Sequence, residues 1–290
     1  MIYLDTFFFP YEDEEVSLFM DEKRTCYDSA YPLKVLSQKG LERLDFEPIT
    51  ILYGGNGSGK TTVLNIIAEK LKLKRETAFN HSAFFQQYVD FLCSCGLQRE
   101  IPEKSCIITS DDVFDYMLNI RALNEGIDQK REELFSEYLS LKYADFAFHS
   151  LDDYEQLKKA NLARSKTQSQ YVRKNLMNNV RELSNGESAF MYFSEKITEN
   201  ALYLLDEPEN SLSAENQIKL MHFLAESARY FNCQFVISTH SPFLLSIENA
   251  KIYDLDEEIV DVKPWTELKN IRAYYDFFME HEADFEKSGR

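Results

Sequence analysis

The sequence predicts an α/β protein with a mixed central sheet flanked by helices and an inserted helical lobe. Short apolar runs typical of strands alternate with segments of helical periodicity near both ends of the chain. A glycine-rich loop joins one apolar run to a helix. Between the two α/β parts, residues 113–182 contain no proline and only one glycine, and Leu, Lys, Glu, Gln and Ala are frequent. We expect a single domain over residues 1–290, with the lobe at about 113–182.

Apolar, β-prone runs and helical periodicity place the individual elements. Before the lobe, strands are predicted at residues 2–9, 33–36, 41–46, 49–53 and 106–109, and a helix follows the glycine loop to about Leu71. After the lobe, strands are predicted at 201–205, 234–238, 251–255 and 259–262, with helices at 214–231 and from about Thr266. Ser110-Asp111-Asp112 is expected to be the turn that ends its strand.

Composition restricts the class of protein. With 44% hydrophobic residues among 290, the chain can bury a substantial core, but no run approaches the roughly 20 apolar residues that span a membrane. The first residues lack the basic region of a signal peptide, so we expect a cytoplasmic protein without a membrane partner. The five cysteines form no C-x-x-C pair, which disfavours a disulfide framework or a zinc site. The acidic runs 12–15 and 280–286 are expected to be exposed.

Residues 54–61 carry the strongest motif. Gly54-Gly55-Asn56-Gly57-Ser58-Gly59-Lys60-Thr61 fits G-x-x-x-x-G-K-[ST], and Thr62 follows it at the start of a helical segment. In this motif the backbone N–H groups surround nucleotide phosphates, the lysine reaches the β and γ oxygens, and the hydroxyl binds Mg²⁺. A strand before the loop and a helix after it supply the required context. The sequence therefore predicts a site for ATP or GTP with Mg²⁺.

Two acids follow a later apolar strand. Residues 201–205 end in Asp206 and Glu207, and Pro208 stops the strand. A buried strand can deliver Asp206 to the nucleotide's magnesium ion, with Thr61 as a second ligand, and can place Glu207 to polarise the attacking water. The structural alternative is a strand-end turn with two solvated acids.

Two further motifs complete an ordered set. Leu183-Ser184-Asn185-Gly186-Glu187 precedes the acidic strand, and Ser238-Thr239-His240-Ser241-Pro242 follows the next one. Over residues 49–245 the sequence thus resembles the ABC-type ATPase superfamily, which has a P-loop, an L-S-x-G-[QE] signature, a strand ending in Asp-Glu, a D-loop and a switch histidine in this order. The resemblance implies the ABC-type ATPase P-loop fold and hydrolysis of ATP.

The resemblance also implies a head-to-tail homodimer with ATP at two composite sites. Ser184, Gly186 and Glu187 would present a helix N-terminus to the γ-phosphate bound by the opposite subunit. His240 would contact the γ-phosphate or the catalytic water, and Glu209-Asn210-Ser211-Leu212-Ser213 would form the D-loop. From the residues alone, an ordinary helix cap, a turn histidine and a plain turn remain alternatives.

Two parts of the family pattern have no single counterpart. Gln86 and Gln87 occur early for the Q-loop, so Asp111 or Asp112 is an alternative contact near magnesium, and an ordinary turn is equally compatible. The aromatic residue that stacks on adenine should come from the N-terminal strands, where Tyr27, Tyr31 and Phe46 are the candidates.

The residues around the acids favour one branch of the superfamily. A transporter subunit usually has Thr where Glu209 stands and an Arg/Gln-rich helix after the signature, whereas residues 188–193 here read Ser-Ala-Phe-Met-Tyr-Phe. The motifs look more like the soluble branch, which includes RecF, the structural-maintenance-of-chromosomes (SMC) proteins, overcoming-lysogenization-defect nucleases and bacterial defence ATPases. The alternatives are the ATP-binding subunit of a membrane ABC transporter and a P-loop kinase or unrelated NTPase.

The expected output of the ATPase is an effector protein partner or a DNA transaction, in DNA maintenance or phage defence. The net charge of −17 argues against indiscriminate DNA binding. One basic stretch leaves DNA open as a ligand, although a solvated helix face is the simpler interpretation. Its cations, with no acid among them, are Lys158, Lys159, Arg164, Lys166, Arg173, Lys174 and Arg181.

Overall fold

The computed structural model describes residues 1–21, 26–143, 154–176 and 185–287. The chain divides into two compact units. One comprises Met1–Val113 together with Asn185–Arg290, and the other is Phe114–Ser184. None of the described helices is long and apolar enough to cross a membrane.

The main sheet has six strands in the order β5-β6-β7-β3-β8-β9. All neighbours are parallel except β8 and β9. The bounds are β3 Ile49–Tyr53, β5 Cys106–Thr109, β6 Leu202–Asp206, β7 Gln234–Thr239, β8 Lys251–Asp254 and β9 Asp261–Val262. Every residue of β3 and β7 is buried, as expected for parallel strands covered on both faces.

A second, antiparallel sheet of three strands has the order β2-β1-β4. Its bounds are β1 Leu4–Phe8, β2 Arg43–Asp45 and β4 Ser94–Leu97. Gln234, at the start of β7, is completely buried and joins the two sheets. Its Oε1 accepts hydrogen bonds from the backbone N–H groups of Tyr3 and Leu4 at 2.8 and 2.9 Å, and its Nε2 donates to the Leu4 carbonyl at 2.7 Å.

Helices account for most of the remaining described chain. In the first unit they are α1 Glu12–Asp21, α2 Lys60–Lys70, α3 Phe85–Gln87, α7 Asn185–Lys196, α8 Ala214–Tyr230, α9 Pro242–Leu245, α10 Lys269–Glu280 and α11 Glu282–Lys287. Helix α4 runs from Ser110 to Tyr143, and the second unit also contains α5 Tyr154–Ser165 and α6 Gln168–Asn175. That unit has its own small core, in which Leu134, Tyr138, Ala163, Tyr171 and Val172 pack together.

Three local predictions were wrong. Residues 33–36 form a turn rather than a strand, and Ser110-Asp111-Asp112 begin helix α4 instead of ending β5 in a turn. The acidic run 12–15 is not entirely solvated, because Glu15 is only 1% exposed. Its carboxylate accepts hydrogen bonds from the Lys34 N–H at 2.7 Å and the Ser37 hydroxyl at 2.8 Å, so helix α1 anchors the turn at residues 33–36.

Candidate active site

Three adjacent parallel strands end at one edge of the main sheet. In the strand register Tyr53 of β3 lies beside Thr239 of β7, and Ser238 lies beside Asp206 of β6. Because parallel strands run in the same direction, whatever follows each strand collects at this edge. The glycine loop follows β3, Glu207 follows β6, and His240 follows β7.

The glycine loop occupies residues 54–59 and leads into helix α2. Gly57 and Gly59 have φ angles of 79° and 98°, in the region where a side chain would be strained. Lys60 is 4% exposed, and its ammonium group donates to the carbonyls of Gly54 and Gly55 at 2.7 and 3.0 Å. The lysine thus lies over the loop, and the loop precedes a helix N-terminus that favours anions.

Thr61 and Asp206 bring two oxygens together beside the loop. The Thr61 hydroxyl donates to Asp206 Oδ1 at 3.1 Å, and the Ser238 hydroxyl donates to the same oxygen. Burial raises the pKa of the Asp206 carboxyl, while the hydrogen bonds from Ser238 and Thr61 oppose that rise. A hydroxyl and a carboxylate are hard oxygen ligands, so this pair fits Mg²⁺ together with nucleotide phosphate oxygens.

Glu207 is held in a constrained geometry. Its φ angle of 47° lies in the left-handed region, which is uncommon for a residue with a side chain and is often found at functional sites. Its N–H donates to the Ser238 carbonyl at 3.0 Å, and Asn210 Nδ2 donates to its Oε2 at 3.2 Å. Glu207 Oε1 lies 3.7 Å from Lys60 Nζ and 3.8 Å from His240 Nδ1.

Glu209 connects the loop after β6 with the histidine after β7. This residue is buried, and its Oε1 accepts hydrogen bonds from the Thr239 hydroxyl at 2.6 Å and the His240 N–H at 3.0 Å. The same oxygen is 3.5 Å from His240 Nδ1. Burial raises the pKa of the Glu209 carboxyl. His240 Nδ1 therefore lies near two carboxylates, and the backbone N–H of His240 donates to one of them.

The signature residues are partly described. Ser184 lies outside the described residues, whereas Gly186 is half-buried and Glu187 exposed in the first turn of α7. A Cβ at Gly186 would approach Asn216 Nδ2 to 2.6 Å, so glycine permits close contact between this turn and the start of α8.

A cavity of about 490 Å³ opens beside Thr61 and Asp206. Asp111 lines it, while Asp112 is buried and its Oδ2 accepts from the Thr109 N–H at 2.7 Å and the Thr109 hydroxyl at 3.0 Å. Of the two acids considered for the Q-loop position, Asp111 is therefore the one beside the oxygen pair. Gln86 and Gln87 do not line this cavity.

The three aromatic candidates for adenine differ in position. Phe46 belongs to the buried core, and Tyr27 packs edge-on against Phe84. Tyr31 lines the cavity beside Thr61, and its hydroxyl donates to the Thr62 hydroxyl at 3.2 Å.

Sequence reasoning missed two residues of the site. Ser238 was treated as part of the histidine motif, although the register of β6 and β7 puts its hydroxyl on Asp206. Asp256 was not considered, yet its carboxylate accepts from the Gly55 N–H at 2.8 and 3.0 Å. Both residues could have been found from the sequence, because each is a polar residue at or just after the end of a predicted strand. Strand β8 lies parallel to β3, so the residues that follow it reach the same edge of the sheet.

The fold and this site define an ABC-type P-loop ATPase, an enzyme that binds and hydrolyses ATP. A family model described as "ABC transporter" matches residues 43–210, and a second, described as "AAA ATPase domain", matches residues 181–245. The first match covers more than half of the chain, which therefore belongs to the ABC transporter family. Membership of this family shows that the chain contains an ATP-hydrolysing module. It does not identify the protein or nucleic acid on which that module acts.

Similar proteins include both transporter subunits and SMC heads. The tungstate uptake system ATP-binding protein TupC of Campylobacter jejuni is 24% identical over 96% of this chain and 73% of its own length. An inward-facing ABC transporter of the metal-chelate type is 19% identical over 79% of this chain and 78% of its own, with a TM-score of 0.38. A Pyrococcus furiosus Smc head bound to a ScpA domain is 13% identical over 82% of this chain and 95% of its own, with a TM-score of 0.37. These TM-scores are too low to bear on function.

Proposed function

We propose that this chain is the ATPase module of a cytoplasmic machine, in which two copies close head to tail around ATP and Mg²⁺ and drive an effector protein or a DNA transaction. The observation that carries the proposal is the convergence of Lys60, Thr61, Asp206 and Glu207 on one edge of the main sheet. The Thr61 hydroxyl is 3.1 Å from Asp206 Oδ1, and Lys60 Nζ is 3.7 Å from Glu207 Oε1. The whole set lies beside a loop suited to phosphates.

In the proposed mechanism each side chain has a distinct task. Residues 54–62 bind the phosphates, with Lys60 neutralising their charge, and Thr61 and Asp206 hold Mg²⁺. The metal would screen charge on the phosphates when bound. Glu207 polarises the attacking water, and His240 contacts the terminal phosphate or that water. Ser184, Gly186 and Glu187 serve the site of the opposite subunit through the N-terminus of α7.

The test compares two variants. Lys60→Ala removes the charge that holds the phosphates, so ATP binding measured by calorimetry should be lost. Glu207→Gln keeps size and hydrogen bonding but loses the base, so it should bind ATP while turnover falls about 10²- to 10⁴-fold. Turnover in Glu207→Gln equal to that of the unmodified chain would remove Glu207 from this role.

The buried Glu209 supports an effector-driven machine over transport. A threonine, the usual residue of transporter subunits at this position, is too short to make the same bonds, and the Thr239 and His240 groups would lose their acceptor. The match to the AAA ATPase domain model over residues 181–245 includes this loop.

The TupC likeness favours a second candidate, an ATP-binding subunit of an uptake system, because it extends over 96% of this chain. The two functions predict different co-purifying proteins. An uptake subunit should co-purify with a protein that spans the membrane when Glu207→Gln is isolated with ATP from detergent extracts. The effector function predicts that the companion stays in the aqueous fraction.

The DNA version of the proposal has its own test. Of the basic stretch, Lys158 and Arg164 are exposed, whereas Arg181 and the side chains of Lys159, Arg173 and Lys174 lie outside the described residues. If DNA binds there, affinity should fall steeply with salt, and reversing Arg173 and Lys174 to Glu should weaken it for every sequence. Absence of binding at low salt with ATP would leave a protein effector as the ligand.

A further inference from the structure

Helix α10 exposes an unusual run of large apolar side chains. Ile271 is buried, but five residues from Tyr274 to Met279 are each about half exposed: Tyr274, Tyr275, Phe277, Phe278 and Met279. Scattered apolar residues are normal on a protein surface, whereas a contiguous aromatic patch marks an interaction site.

The patch borders a cavity of about 850 Å³ that reaches the active site. Five of its lining residues are aromatic: Phe243, Trp265, Tyr274, Tyr275 and Phe278. Glu209 and His240 also line it. We call this cavity and the exposed face of α10 the aromatic groove. Its volume is sufficient for several side chains of another molecule.

Glu209 places at the groove a carboxylate oxygen that lacks a hydrogen-bond donor among the described residues. Its Oε1 is satisfied by Thr239 and His240, whereas Oε2, although buried, has no hydrogen-bond partner in the described part of the chain. A buried carboxylate oxygen without a donor is costly, and a cation or an N–H group from a ligand would remove that cost.

Charge on the same helices points to a basic occupant. Over residues 269–287 five acids outnumber three Lys or Arg. One of these cations, Arg272, lines the groove and lies 3.6 Å from Asp276, whereas Glu280, Glu282 and Asp284 are exposed. The same face of a second copy would oppose acid to acid, and an anionic membrane surface would be repelled. A partner that brings Lys or Arg beside apolar side chains meets both features of the groove.

We propose that the aromatic groove binds a segment of a partner protein that presents apolar side chains next to a Lys or Arg, with the cation at Glu209. The inference rests on the proposed function in one respect, since this partner would be the effector. His240 Nδ1 lies 3.5 Å from Glu209 Oε1 and 3.8 Å from Glu207 Oε1. A cation drawn to Glu209 therefore changes the surroundings of His240, which couples docking to ATP turnover.

The only tryptophan of the chain, Trp265, lines the groove and reports its occupancy directly. The probe is a short amphipathic helical peptide of Leu and Lys, matched with one of Leu and Glu. The Leu–Lys peptide should change Trp265 fluorescence saturably, and Phe278→Ser should weaken its binding at least about tenfold. Phe91→Ser, which removes an equally large and 76% exposed aromatic residue elsewhere, is the control and should bind as the unmodified chain does.

Three outcomes of this binding experiment would contradict the docking proposal. Equal binding to Phe278→Ser, equal binding of the Leu–Glu peptide, or no saturable change would overturn the proposal. Circular dichroism of Phe278→Ser checks that the variant is folded. ATP turnover is measured in parallel and should change when the Leu–Lys peptide saturates the groove. Loss of the proposed ATPase function would appear as absent turnover without peptide, whereas failure of the docking inference leaves basal turnover intact and the fluorescence unresponsive.

Discussion

Asp206 is a residue at which catalysis and stability make opposite demands. Burial raises the pKa of its carboxyl, and the neighbouring charge of Glu207 acts in the same direction. The unfolded chain therefore releases this proton at a lower pH than the folded chain does. Between the two pKa values the unfolded state binds fewer protons, so the free energy of unfolding falls as pH rises through that range.

We predict that Asp206→Asn stabilises the protein while abolishing hydrolysis. At pH 8 the free energy of unfolding, measured with urea and without nucleotide, should rise by roughly 0.5–1 kcal/mol, because a partly buried charge is removed. Near pH 3 the difference should vanish, since both side chains are then neutral. The exposed Asp115→Asn is the control, expected to change stability by less than about 0.5 kcal/mol. A loss of stability at pH 8 would contradict the argument.

At this scale the sequence predicts the residues of the P-loop site but not how they bond to one another. Thr61 and Asp206 were expected to share a metal because each belongs to a recognisable local motif. The bond from Ser238 to Asp206 depends on strand register, and the burial of Glu15 depends on a turn around Ser37. Such contacts are set by residues far apart in the chain, so local patterns do not reveal them.

At the scale of elements, Gln234 fastens the antiparallel sheet to the main one. Gln234→Ala should lower the free energy of unfolding by about 2–4 kcal/mol, because the N–H groups of Tyr3 and Leu4 and the Leu4 carbonyl would be buried without partners. Gln98 offers a matched control, since it bonds Asp5 on the surface. Gln98→Ala should cost under about 0.5 kcal/mol by urea denaturation. Similar losses for both variants would show that Gln234 has no such role.

The contact between α7 and α8 gives a second prediction. Gly186→Ala introduces a methyl group 2.6 Å from Asn216 Nδ2, so the Asn216 amide must turn away from the first turn of α7. Because only the end of a side chain has to move, ATP turnover should fall by less than about tenfold. Adding Asn216→Ala makes room for the methyl group. The double variant should recover most of the turnover, and failure to recover it would assign the loss to something other than this clash.

Elements with strong local signals were predicted well, and those shaped by tertiary contacts were not. The buried parallel strands β3, β6 and β7 read as continuous apolar runs in the sequence. Residues 33–36 include three apolar side chains, but they cover the core from a turn, with Leu36 fully buried. Hydrophobicity reports burial in both cases, and only backbone pairing distinguishes a strand from a buried turn.

At the scale of the whole molecule, the proposed dimer should follow the nucleotide. Glu207→Gln should sediment as a dimer with ATP and largely as a monomer without it, because slowed hydrolysis preserves the closed state. Combining it with Ser184→Arg should prevent dimerisation by placing charge and bulk at the composite site. A dimer insensitive to both ATP and Ser184→Arg would rule out the head-to-tail arrangement.

The strand order has a consequence for how this protein is made. Strands β1, β2 and β4 all come from the first 97 residues, so the small sheet finds its partners early in synthesis. Strand β3 instead pairs with β7 and β8, which begin at Gln234 and Lys251. At about 5–20 residues per second the ribosome needs roughly 10–40 s to supply them. Throughout that time the apolar strand beneath the phosphate loop lacks both of its neighbours and is a candidate for chaperone binding, and ATP meets a finished site only after β7 and β8 have been made.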